Sequence, residues 1–92
     1  MRLKQMFQIE VERIFNIPDR GQIIYGKANA QTYKGTLRCG NEVFKVIGFP
    51  FQPDKDGYAA YLLDTFSLAD DYVGKVLVDD VRIFFSAQVF LI

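Results

Sequence analysis

Apolar and polar residues alternate at the start of the chain, with Phe7, Ile9 and Val11 set against Gln8, Glu10 and Glu12. A period of two predicts a strand with one wet face. A helical stripe through Leu3, Met6, Phe7, Glu10 and Ile14 competes, but the charge at Glu10 interrupts it. Ile14 to Ile17 continues or bends the strand. Pro18 fixes φ and Gly21 admits positive φ, so residues 18–21 read as a turn. Gln22 to Gly26 is then the returning strand, with Ile23 and Tyr25 on one face and Ile24 on the other.

Lys27 to Tyr33 is small and polar, and either prolongs the second strand or forms a loop. Gly35 and Gly40 bracket Thr36 to Cys39, and Val43 to Ile47 alternates again, with Phe44 and Val46 on the face opposite Val43, Lys45 and Ile47. Residues Gly48 to Gly57 carry two prolines, two glycines and three charges, which marks a loop, although Phe49 and Phe51 are apolar. Tyr58 to Phe66 fits two periods. Ala59, Leu62, Leu63 and Phe66 fall at helical spacing, while a strand would set Ala59, Tyr61 and Leu63 against Tyr58, Ala60 and Leu62. Ser67 to Tyr72 suggests one helical turn capped by Ser67 and closed by Gly74. Lys75 to Val78 resumes a strand, and Asp79-Asp80 turns the chain into Val81–Phe85 and Gln88–Ile92. Six or seven short strands, with turn signals at roughly 8–12-residue intervals, predict an all-β barrel or sandwich forming a single domain over residues 1–92.

Composition narrows the chemistry. Half of the 92 residues are apolar and 15% are aromatic, which excludes a disordered chain. Eleven basic residues balance eleven acidic ones, and this argues against nucleic acid as the main partner. The absence of His removes the usual near-neutral base and the commonest metal ligand. Cys39 stands alone in a bland Arg-Cys-Gly context and reads as a small strand residue. Asp54, Asp56 and Gly57 resemble the start of a calcium loop, but the later ligands do not follow. Asp70-Asp71 and Asp79-Asp80 are neighbours that point to different faces, so they read as solvated turns. No catalytic constellation, cofactor or metal is expected. The N-terminal M-R-L-K-Q-M-F has no apolar run of signal-peptide kind. Val81 to Ile92 is too short to span a bilayer as a helix and is broken by Arg82, Ser86 and Gln88. A soluble, cytoplasmic protein without membrane attachment is the expectation.

Phe7 to Gly26 resembles the opening hairpin of domain II in the translational GTPases, elongation factor Tu and its relatives. Ile14, Phe15, Ile17, Pro18, Arg20, Gly21, Ile23, Ile24 and Gly26 carry the likeness. Gly35, Gly40, Asn41-Glu42 and the strand Val43 to Gly48 resemble that family's second hairpin. Asp71-Tyr72-Val73-Gly74-Lys75-Val76-Leu77 resembles its return to the barrel. The three blocks occur in family order over about residues 7–78, and they imply a small closed antiparallel barrel of six to seven strands, with residues 58–66 a strand. The likeness also departs from the family. The GTPase domain is expected to be absent, and no G-x-x-x-x-G-K-[ST] phosphate loop occurs. The segment between Gly26 and Gly35 is longer than the family's, and the usual Gly-Asp ahead of the fifth strand is missing. In the family this barrel contacts ribosomal RNA or the acceptor end of tRNA.

Two surface groups stand out. Arg20, Lys27, Lys34 and Arg38, interleaved with Tyr25 and Tyr33, would either hold a phosphate backbone or discourage edge-to-edge strand pairing. Phe49 and Phe51 would either plug one barrel end or anchor a protein partner. The apolar tail from Val81 would complete the barrel or pair with a second copy as a homodimer. The expected function is therefore a non-catalytic module engaging a protein partner through loops or a barrel edge. The contacts expected are Arg20, Tyr33, Lys34, Arg38, Phe49 and Phe51. The alternative is a translation-linked RNA- or ribosome-binding module.

Overall fold

The first strand changes phase midway, and that change decides which side chains face inward. In the computed structural model, which describes residues 6–30 and 32–80, β1 (Gln8–Ile17) pairs with β2 (Gly21–Ala28), and the register slips between Val11 and Arg13. One extra residue at such a β-bulge reverses the alternation beyond it. Ile9 and Val11 therefore point inward before the slip, Ile14 faces the buried Ile24 after it, and Arg13 and Phe15 turn outward opposite Tyr25 and Ile23. Gly26 accommodates the bulge. A Cβ there would lie 1.8 Å from the Glu10 carbonyl oxygen, closer than any side chain can approach.

Four further strands complete a closed ring: β3 (Thr36–Cys39), β4 (Glu42–Gly48), β5 (Tyr58–Leu63) and β6 (Val76–Asp79). Around the ring the order is β1-β2-β5-β4-β3-β6, and every pairing is antiparallel. The expected barrel is thus present, with six strands, and it closes within residues 8–79. The expected strands over Val81–Ile92, and the pairing of that tail with the barrel or with a second copy, lie outside the described residues.

β2 continues to Ala28, so the polar stretch after Gly26 is strand at its start. Tyr58 to Leu63 is strand rather than helix. All six residues are buried, because Ala59, Tyr61 and Leu63 face the interior while Tyr58, Ala60 and Leu62 are covered from outside. A strand buried on both faces loses its alternation, which is why helical spacing matched it equally well. The helical turn is a short 3₁₀ segment, Asp70–Tyr72, preceded by Ala69 with no side-chain cap. Ser67 does not cap it. Its backbone N–H donates to Thr65 Oγ1 at 3.1 Å, and the two hydroxyls lie 2.8 Å apart, which closes a local turn instead.

Both barrel ends are filled. At the end bearing the β1–β2 turn, Leu68 and Tyr72 fold into the core, with Tyr72 edge-on to Phe44 at 5.8 Å. Gln22 secures this cover: its amide nitrogen donates to Asn16 Oδ1 (2.7 Å) and the Leu68 carbonyl (3.0 Å), and its oxygen accepts from the Leu68 N–H (2.8 Å). At the other end Phe7 stacks on Tyr33 at 4.3 Å, and both meet Tyr61 edge-on. These groups close the ends; of the two loop aromatics, Phe49 meets Tyr61 of this cluster and Phe51 meets Tyr25 on the outward face.

Candidate binding face on the outer wall

β4 and β5 share only two register pairs, Val46 with Leu63 and Gly48 with Leu62, with an irregularity between them. Below Leu62 the two strands part, and the β4–β5 connection covers the seam. Phe49 lies edge-on to Tyr61 at 5.6 Å, and Phe51 stacks near Tyr25 at 6.5 Å. Behind them Ile23, Ala60 and Leu62 form a second small core, with Ile17 and Tyr25 packed against it. This outer core explains why β5 is buried on both faces.

The cover is incomplete. Phe49 and Phe51 each remain 46% exposed, and Phe15 on the neighbouring strand is 41% exposed. Two depressions lie along this wall. One, of about 280 Å³, is lined by Arg13, Phe15, Tyr25 and Phe51. The other, of about 290 Å³, is lined by Ile17, Arg20, Ile23, Gly48, Phe49, Pro50 and Leu62. A third, of about 260 Å³, uses the far side of the same connection, with Thr32, Phe49, Phe51, Gln52, Pro53 and Ala60. Phe49 and Phe51 are thus shared walls between neighbouring depressions. No carboxylate lines any of the three.

Of the expected contact residues, Arg20, Phe49 and Phe51 meet on this wall. The basic group does not assemble. Arg20 lies in the β1–β2 turn, whereas Lys34 precedes β3 at the opposite end of the barrel. Arg38 sits on β3, across the ring from β2, and its Nε lies 3.7 Å from an Asp80 carboxylate oxygen. Tyr33 is held in place by its surroundings: its hydroxyl donates to Asp79 Oδ1 and lies 2.9 Å from the Thr36 carbonyl. Burial first, then the hydrogen bond and negative charge of Asp79, raise the Tyr33 hydroxyl well above its ordinary range. Burial alone pushes Tyr61 up to about 12. Asp79 and Asp80 are therefore engaged by Tyr33 and Arg38 and do not form the solvated turn expected of them. The backbone N–H groups of the same two residues donate to the carbonyls of Phe7 and Thr36, tying β6 to its neighbours.

Arg13, Phe15 and Ile17 join the wall without having stood out as candidate contacts. The signal for them was the break in alternation from Glu12 to Phe15, two charged residues followed by two apolar ones, beside the slip between Val11 and Arg13.

Among the described residues no three Cys, Asp or Glu groups approach a metal-binding arrangement, and no helix is long and apolar enough to cross a membrane. Compared with family models, curated proteins and solved structures, the chain has no match.

Proposed function

We propose that this barrel is a non-catalytic, cytoplasmic binding module that engages a protein partner through the outer wall of β1, β2 and β5. The observation that carries this reading is the pair Phe49 and Phe51. A connection that already covers a strand leaves two aromatic rings half exposed beside a third, Phe15. Exposed apolar surface concentrated in one place, next to grooves, is the usual mark of an interaction site.

The test is affinity capture from the native cell with the unaltered chain and with Phe49→Ser/Phe51→Ser, each with and without RNase. A near-stoichiometric protein that survives RNase and is lost with the double variant supports the reading. Equal recovery by both chains counts against it.

A second reading, a translation-linked RNA or ribosome module, rests on the likeness to domain II of the translational GTPases. Support for it comes from the glycine blocks. Gly21 and Gly40 fall at hairpin turns with positive φ, and Gly26 falls at the close approach of β1 to β2. The dispersal of Arg20, Lys34 and Arg38 over different ends and walls removes the basic cluster that would have favoured it. Ribosomal proteins that vanish on RNase treatment would favour this second reading.

A further inference from the structure

The two depressions beside Phe51 and Phe49 each combine apolar lining with one arginine: Arg13 with the aromatic Phe15, Tyr25 and Phe51 in the first, Arg20 with a largely aliphatic lining around Phe49 in the second. Among the described residues neither guanidinium forms an ion pair, and neither depression contains a carboxylate. The floors also share a strand. Tyr25 belongs to one and Ile23 to the other, two residues apart on the outward face of β2, a separation of about 7 Å. That is the distance between side chains i and i+2 on the same face of any extended chain.

We infer that the occupant of this wall is an acidic extended segment of another protein. It places two apolar side chains, at positions i and i+2, into the two depressions, and its flanking Asp or Glu side chains meet Arg13 and Arg20. Spacing selects an extended backbone over a helix, since neighbours on one helix face recur at three and four residues. Charge selects acid: an arginine offers a planar fork matched to a carboxylate, and among the described residues neither fork is ion-paired. The chain's own segment from Val81 to Ile92 fits less well, because it is apolar but carries Arg82 and no acidic residue.

The inference rests on the protein-partner reading and sharpens it. A random dodecamer peptide library, panned against the unaltered chain and counter-panned against Arg13→Glu/Arg20→Glu, tests it. Enriched sequences are expected to carry apolar residues at i and i+2 with acids beside them. A synthetic peptide of that consensus is expected to bind the double variant at least tenfold more weakly. Exchanging its acids for lysine should abolish binding to the unaltered chain and restore binding to the charge-reversed one, a rescue that loss of folding cannot mimic. Selection of basic sequences, of uncharged sequences, of apolar sequences without acids like Val81–Ile92, or of none overturns the inference. Should it fail while cellular capture still depends on Phe49 and Phe51, the partner chemistry is wrong and the binding-module reading stands.

Discussion

Single residues hold this small barrel to narrow tolerances. A methyl group on Gly26 would collide with the Glu10 carbonyl in the backbone of a paired strand, so neither side can move without breaking the β1–β2 ladder. Gly26→Ala is expected to cost about 3 kcal/mol or more, at the upper end of overpacking effects, read as a fall in the urea midpoint. A change under about 0.5 kcal/mol would contradict the described bulge. Gln22 is the buried polar residue of the core, and all three of its bonds tie the cover at Leu68 to the barrel end. Gln22→Leu leaves the Leu68 N–H and carbonyl unpaired, at an expected cost of about 2–3 kcal/mol with faster amide exchange at Leu68. Unchanged exchange there would show that Gln22 does not hold the cover.

Tyr33 and Tyr61 give the fold an alkaline limit. Both hydroxyls keep their protons above pH 10, where an unfolded tyrosine begins to lose its own. Their contribution to stability is therefore complete below pH 10 and is lost as pH rises toward the folded-state values. Absorbance at 295 nm should show these two phenolates appearing together with unfolding, and Tyr33→Phe should flatten the pH dependence of stability above pH 10. Ionisation of both near pH 10 with the fold intact would refute this.

At the scale of elements, what could be read from the sequence depended on whether a strand had one wet face. The alternations that begin at Phe7 and Val43 mark strands of the ring, β1 from Gln8 and β4. Ile23 and Tyr25 face away from Ile24 as their alternation predicts. Tyr58–Leu63 did not declare itself, because the β4–β5 connection covers its outer face and removes the polar positions that mark a strand. That same tertiary contact creates the candidate site. Phe49 and Phe51 were legible as anomalous residues in a loop, but their neighbours Arg13, Phe15 and Ile17 depend on a one-residue bulge that alternation alone does not place. The basic residues misled for the opposite reason: Arg20, Lys34 and Arg38 fall near the first two hairpins in sequence, while the β1-β2-β5-β4-β3-β6 order sets β2 and β3 on opposite sides of the ring.

For the whole barrel of described residues, ring closure limits the surfaces that the proposed binding could use. Six strands pair around the full circle and leave no continuous free edge, and side chains fill both ends. The outer wall on the β1–β2–β5 side combines grooves with half-exposed aromatic rings. Two double variants, Phe15→Ser/Phe51→Ser on this wall and Lys34→Glu/Arg38→Glu elsewhere on the barrel, separate this account from a charge-driven one. Each is first checked for an unchanged barrel spectrum, then compared with the unaltered chain for the amount of RNase-resistant protein it retains from the native cell. Loss of at least nine-tenths of that protein in the aromatic variant, with near-full retention in the charge variant, is the predicted result. The reverse pattern would contradict the account and move the binding surface to the β3 side.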